Sequence, residues 1–281
     1  MRHCEKVVFI GGAGHSGSTL LGLMLGASPS VFYAGEARKS LFLGDETKPL
    51  KKRVCKLCGP SCRVWGELDI PADVDLYEAL ARTTGRSIVV DSTKNLGWID
   101  RQLAALEGTG AARLLIFLAR DGRAVVTSRL RKYPKTPARE HATDWVAQIR
   151  ATEELTARFP GPVLRLRYEE LASRTEPVLR EVAEFVGVPF SAPMLAPWTT
   201  EQHPLGGNNG TQFLFARERA PGDGVVELTE KTREHYGAHP RGVVLDLRWK
   251  REMSAQARAE FDAVAGEANA PYAWNDAGET A

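Results

Sequence analysis

One run constrains this chain more than any other: Gly12-Ala13-Gly14-His15-Ser16-Gly17-Ser18-Thr19. It follows an apolar stretch, Lys6 to Ile10, that reads as a buried strand, and it leads into a helix opening over Thr19 to Leu25. A glycine-rich turn between a strand and a helix lets the backbone approach an anion closely, and the free N–H groups of the helix N-terminus point at it. Such a turn belongs to a parallel sheet with helical crossovers. The rest of the chain agrees. Ser87 to Val90, Arg113 to Leu118 and Val163 to Leu166 are short, continuous apolar runs, as expected of strands covered on both faces. Between them the amphipathic stretches Asp73 to Thr83, Leu96 to Leu106, Arg123 to Arg131, His141 to Phe159 and Thr175 to Val186 predict helices. The expected fold is α/β, an open, mainly parallel sheet flanked by helices.

The alternation fits one domain over residues 1–281, with two interruptions. Residues 44–71 form a polar, cysteine-bearing insertion. Residues 203–241, rich in Gly, Asn and Arg, have the composition of a long functional loop or lid. Asn275 to Ala281 reads as a solvated tail. The balance of 37 basic against 35 acidic residues leaves a net charge of +2, too even for a nucleic-acid-binding surface, so any anion must be held by a local pocket. No apolar run is long enough to span a membrane. The N-terminus carries no secretory pattern, and four cysteines are too few for a secreted disulfide scaffold, so a cytoplasmic location is expected.

The spacing of the loop fits the ATP/GTP-binding P-loop, with Gly12 and Gly17 at its glycines and Thr19 at its magnesium-binding hydroxyl. Ser18 stands where that motif requires lysine. Asp91, ending a strand, is placed like a magnesium-binding aspartate. A kinase or nucleotide hydrolase lacking the usual lysine is therefore one reading.

A second reading rests on resemblance. Ser16-Gly17-Ser18-Thr19-Leu20 after a strand resembles the 5′-phosphosulfate loop of sulfotransferases that use 3′-phosphoadenosine 5′-phosphosulfate (PAPS) and release PAP. Their fold is P-loop-NTPase-like and magnesium-independent. The family carries Lys or Arg before the Ser-Gly pair; here His15 stands there, as an imidazolium or a neutral N–H donor. Arg120, ending a strand, and Ser128, eight residues on, are similar to the family's 3′-phosphate motif; a guanidinium can fork two phosphate oxygens. Arg167-Tyr168-Glu169 resembles an element of the tyrosylprotein sulfotransferases and their bacterial relatives whose tyrosine approaches the cofactor. Leu245-Asp246-Leu247-Arg248-Trp249-Lys250 resembles a carboxy-terminal Asp-x-x-Trp-Lys element. There Arg248 or Lys250 would close over the 3′-phosphate, with Trp249 beside the adenine. The resemblance thus implies PAPS binding by Gly14, His15, Ser16, Gly17, Ser18, Thr19, Leu20, Arg120, Ser128, Tyr168, Arg248 and Lys250.

It also implies the chemistry. In-line sulfuryl transfer to a hydroxyl needs positioning, charge stabilisation and a base. Gly35-Glu36-Ala37-Arg38 is comparable to the Gly-Glu motif of the tyrosylprotein branch, in which the carboxylate is the base and a nearby arginine holds the acceptor. Burial would raise the Glu36 pKa and Arg38 would lower it. The cytosolic branch uses a histidine instead, which keeps His141 and His203 as alternatives. Lys94 aligns with a lysine that stabilises the bridging oxygen, and His15 would join it on the sulfonate. The acceptor implied is a hydroxyl-bearing small molecule, carbohydrate or peptide. Its pocket would be built from Phe42 to Trp65, Tyr133 to Glu140 and Gln202 to Arg219.

Cys55, Cys58 and Cys62 form a C-x₂-C-x₃-C cluster followed by Trp65. Structural zinc, a disulfide and free thiols all suit this spacing. Zinc needs a fourth ligand, for which Cys4, a histidine such as His3, or a carboxylate are the candidates. A non-catalytic zinc-binding interaction module is a further reading.

Overall fold

The apolar runs come together as one sheet. In a computed structural model, which describes residues 2–66, 68–70, 74–216, 226, 230–237 and 242–274, five strands lie in the order β2-β3-β1-β4-β5. All four neighbouring pairs are parallel. The strands are β1 (Lys6–Gly11), β2 (Val31–Gly35), β3 (Ile88–Asp91), β4 (Ala112–Ala119) and β5 (Val163–Arg167). The helices of the first half are α1 (Ser18–Gly26), α2 (Leu50–Arg53), α3 (Leu76–Thr84), α4 (Leu96–Ala105), α5 (Gly122–Lys132) and α6 (Ala138–Arg158). Those of the second half are α7 (Tyr168–Ser173), α8 (Thr175–Val186), α9 (Asn209–Ala216), α10 (Glu230–Gly237), α11 (Trp249–Glu252) and α12 (Ala255–Asn269).

Strand β1 is the axis. Val8 pairs with Val90 on one side and Leu114 on the other, and Val7, Val8, Phe9 and Ile10 are wholly buried. Each such side chain contributes roughly 1.5–3 kcal/mol by leaving water. From β1 the chain first builds toward β2 and β3, then crosses back to β4. The reversal opens a crevice at the carboxyl end of β1, where open α/β sheets bind their ligands. The loops after β1, β3 and β4 all reach it.

Capping explains where the helices begin. The Asp75 carboxylate accepts from the N–H groups of Tyr77 and Glu78, Asn95 from Trp98, Asp121 from Arg123 and Ser254 from Ala257, each satisfying donors the helix leaves open. Helix α1 differs. Its N-cap is Gly17, with no side-chain cap and no acidic residue in the first turn, so no side chain at the cap satisfies the donors the helix leaves open.

The structure adds to or departs from the sequence expectations in several places. The apolar segment Val31 to Ala34 is the edge strand β2, fully buried along its length. Helix α12, not expected from the sequence, packs along α6; its Phe261 lies against Trp145 at 6.1 Å between ring centroids. The cysteine-bearing segment expected as an insertion packs into the main core through Cys55, Leu57, Cys62, Val64 and Trp65. The helix expected from Asp73 begins at Leu76; Asp73 itself lies outside the described residues, as do 217–225, 227–229 and 238–241 of the expected lid and the tail from Asn275. Among the described residues no helix is long and apolar enough to cross a membrane.

Candidate active site

The crevice holds a cavity of about 570 Å³. His15 and Gly17 to Leu20 form one wall, Arg120, Ser128 and Tyr168 a second, and Arg248, Lys250 and Arg251 a third. The loop wall depends on two left-handed residues, His15 at φ 72° and Gly17 at φ 91°. A Cβ on Gly17 would lie 2.6 Å from Tyr168 Cδ2, so only glycine lets the tyrosine ring cover the turn.

The walls are joined by polar contacts. His15 Nδ1 is 2.9 Å from Ser128 Oγ. Arg120 Nη1 donates to the His15 carbonyl at 2.9 Å, and its guanidinium stacks on Tyr168 at 4.2 Å from the ring centroid. The Tyr168 hydroxyl donates to the Val244 carbonyl at 2.8 Å. Asp246 lies 3.1 Å from Arg120 and 2.7 Å from Arg248, aligning both arginines. Burial raises its pKa, but the Arg248 hydrogen bond and the two arginine charges hold it well below the usual carboxylate range.

The cavity is strongly positive. Burial, then the charges of Lys132, Arg129, Arg120 and Lys94, push the His15 pKa down to about 3. The ring is therefore neutral at physiological pH, which decides between the two forms expected from the sequence. Ser16 Oγ and Arg120 Nε are buried with no hydrogen-bond partner. An excess of cationic side chains, orphaned donors and an uncapped helix N-terminus together suit a polyanion.

Glu36, Arg38 and Lys94 do not line this cavity; they stand beyond Ser18, on the β2–β3 side. Lys94 Nζ donates to Ser18 Oγ at 2.6 Å and to the Ser92 carbonyl at 2.9 Å. Burial lowers its pKa, opposed by the charges of Glu36 and Asp91. Glu36 lies 2.7 Å from Lys39. Burial raises its pKa, but Lys39, Lys94 and a hydrogen bond from the Gly207 N–H outweigh this and hold it below 4.5. Lys39, not the expected Arg38, is the partner. The tight turn Ala37–Phe42 is a 3₁₀ helix, which brings positions three apart into line. Arg38 donates its backbone N–H to Thr93 Oγ1 at 3.2 Å, and its side-chain Nε is buried without a partner.

Other expected residues face elsewhere. The Gly14 N–H donates to Gln148 Oε1 at 2.8 Å, so it is spent within the protein. Trp249 turns away from the main cavity, its ring packed on Arg123 at 4.0 Å and Arg258 at 4.9 Å. His141 is buried beside Tyr133, and His203 sits at the cysteine cluster; neither lines the cavity. Asp91 is fully buried and accepts from the N–H groups of Ala37 and Thr93, the Tyr77 hydroxyl and the Trp98 indole. With four donors on its oxygens it is a structural hub, not a magnesium ligand. The sequence reading missed Tyr236, which also lines the cavity, and placed Asn208, whose N–H donates to Thr19 Oγ1 at 2.9 Å, only within the segment expected to build the acceptor pocket. It named Asp246 only as part of a motif.

The sulfotransferase family model matches residues 7–192 of the 281. The chain belongs to the sulfotransferase family. No curated protein sequence matches it. Among solved structures, the sulfotransferase domain from the curacin biosynthetic pathway is 19% identical, with a TM-score of 0.61 over 98% of this chain and 100% of that one. The sulfotransferase domain of the Synechococcus PCC 7002 olefin synthase is also 19% identical, with a TM-score of 0.51 over 92% of this chain and 95% of that one. At this identity the two likenesses concern the fold, and they agree with the open parallel sheet flanked by helices.

No disulfide joins the three clustered cysteines in this structure. Neither Cys4 nor His3 is near them. The Cys4 thiol faces the Lys6 carbonyl and His3 bonds Glu78. The fourth group at the cluster is His203.

Proposed function

We propose that this sulfotransferase moves a sulfuryl group from PAPS to a hydroxyl of a small molecule, carbohydrate or peptide. The observation that carries the reading is the cationic cavity on a P-loop-type turn in which serine replaces the nucleotide-binding lysine. The orphaned Ser16 Oγ and Arg120 Nε fit a ligand with acidic groups at both ends.

PAPS, when bound, supplies the sulfuryl group. The chain's own residues do the rest. The open amides at the start of α1, with His15 and the hydroxyls of Ser16, Ser18 and Thr19, hold the 5′ end. Arg120, Ser128, Arg248 and Lys250 hold the 3′-phosphate, and Tyr168 fixes the loop and Arg120. Lys94, reaching Ser18 at 2.6 Å, is placed to meet charge developing on the bridging oxygen. Glu36, kept ionised by Lys39, takes the acceptor's proton, and Arg38 offers a cation to the acceptor.

Thermal melting with PAP, compared with ATP and GTP with and without magnesium, tests the reading. A ligand at a hundred times its dissociation constant stabilises by about 2.7 kcal/mol, several degrees for a chain of this size. A magnesium-independent shift with PAP is expected. A shift only with magnesium and ATP or GTP would replace this reading with a kinase or nucleotide hydrolase.

A further inference from the structure

The donor cavity leaves one cluster of reactive groups unused. Cys55, Cys58, Cys62 and His203 place their ligand atoms within 4.8 Å of one another. His203 Nδ1 is 3.2 Å from Cys58 Sγ and 3.4 Å from Cys62 Sγ. Tetrahedral Zn–S and Zn–N bonds of ordinary length put sulfur and nitrogen roughly 3.5 Å apart, so little movement is needed to accept an ion.

Two features outside the four ligands point the same way. His203 Nε2 lies 3.2 Å from Glu201 Oε1. With the proton on Nε2 donated to that carboxylate, the lone pair on Nδ1 faces the sulfurs, the carboxylate–histidine arrangement that orients metal-bound imidazoles. The cysteines also sit on a tight turn: Gly59, at φ 70°, donates its N–H to the Cys55 carbonyl at 3.0 Å, folding Cys58 back beside Cys55. Cys55, Cys62 and His203 are buried, and so is Trp65, which packs on Phe32.

We propose that Cys55, Cys58, Cys62 and His203 bind one Zn²⁺, and that this ion fastens the 203–208 segment across the end of β2 beside Glu36. Three soft sulfurs and one imidazole in a closed site select zinc among the common divalent ions. The tether is short. Lys56 N–H donates to the Pro204 carbonyl at 3.0 Å, Leu205 N–H to the Ala34 carbonyl at 2.9 Å, and Glu36 N–H to the Leu205 carbonyl at 2.7 Å. Leu205 lies so close to Gly35 that a Cβ there would be 2.2 Å from the Leu205 oxygen. Two residues further, Gly207 donates to the Glu36 carboxylate. Zinc would thus hold the backbone that fixes Glu36. The positional half of this proposal rests on the proposed role of Glu36; the metal half does not.

The test uses the full chain, purified without chelator. Elemental analysis is expected to give one zinc per chain. Replacement by Co²⁺ is expected to give the thiolate charge-transfer and tetrahedral d–d absorption of an S₃N site. Glu201→Gln, at an exposed position outside the ligand set, is expected to weaken zinc affinity about 10–100-fold with the fold retained; Cys58→Ser should abolish stoichiometric zinc. Removing the ion should speed hydrogen exchange at the Leu205 and Glu36 amides. Iron in place of zinc, a disulfide among the three cysteines, or a chain that takes up neither Zn²⁺ nor Co²⁺ would overturn the site. Unchanged exchange after zinc removal would overturn the tether. Stoichiometric zinc together with a fully active Glu36→Gln variant would leave the metal site standing and remove only the role given to Glu36.

Discussion

His15 Nδ1 lies 2.9 Å from Ser128 Oγ, so the loop after β1 and the helix after β4 meet in one hydrogen bond. These residues are 113 positions apart, and they belong to the two motifs proposed to hold opposite ends of one ligand. Parallel pairing of β1 with β4, with Gly11 opposite Phe117, delivers both loops to the same edge of the sheet. The contact also puts an imidazole where its neighbours are cationic.

That placement sets a pH dependence. In the folded protein His15 stays neutral down to about pH 3, whereas its ordinary pKa is 6.5. Between those values the unfolded chain binds the extra proton, so stability falls as pH drops from 6.5 toward 3 and is flat above 6.5 as far as this group is concerned. Melting curves should show this loss in the wild type and less of it in His15→Asn, since asparagine tolerates the left-handed backbone. Saturating PAP should raise the His15 pKa, read by NMR titration of the ring, because the anion neutralises the cations that depress it. An unmoved pKa would place the anion elsewhere.

Glu36→Gln should lower turnover by about 10²–10⁴-fold, the usual worth of a general base, and leave the PAP-induced melting shift intact. Because Lys39 and Lys94 hold Glu36 ionised below 4.5, the acid limb of the rate profile attributable to this group should fall below that pH, not near neutrality. Steady-state rates across pH check both points, and near-wild-type turnover would remove Glu36 as the base.

Gly17→Ala should cost about 1–2 kcal/mol of stability from the left-handed backbone alone. It should also displace Tyr168, whose ring would lie 2.6 Å from the new Cβ. We expect at least tenfold weaker PAP binding by calorimetry in a folded protein. Unchanged affinity would show that the Tyr168 ring does not shape the donor site.

Asp91→Asn should destabilise the fold by roughly 2–4 kcal/mol, because the carboxylate accepts four hydrogen bonds in full burial and an amide must present a donor to donors. Urea unfolding measures the loss. Magnesium should leave the melting point of the wild type unmoved; a magnesium-dependent shift would restore Asp91 as a metal ligand.

Much of the site was legible because local motifs carry their own geometry. A strand running into glycines and then a helix already implies an anion cradle, and the Arg120–Ser128 spacing already places one group just before a helix and the other about two turns into it. Edge strand β2 was harder to read. Val31 to Ala34 is short, and its pairing with β3 is a property of the sheet. Helix α12 escaped notice because its apolar stripe is thin, Ala257, Phe261 and Ala265 being its buried apolar residues. Asp91 shows why one local signal leaves two readings open. A strand-terminal aspartate looks like a metal ligand until Tyr77 and Trp98, from two different helices, are seen to claim its oxygens.

The sequence by itself determined the parallel sheet and the glycine turn between β1 and α1, and it picked out the two motifs proposed as the ends of the donor site, because each depends on residues close together in the chain and on backbone geometry that glycine and apolar runs dictate. Only the tertiary structure decided which cation holds Glu36, whether His15 is charged, and what completes the cysteine cluster. Those answers depend on burial and on partners brought together from far apart. His203, 141 residues beyond Cys62, has no spacing that announces it, and only the closure of the fold sets its ring beside the thiols.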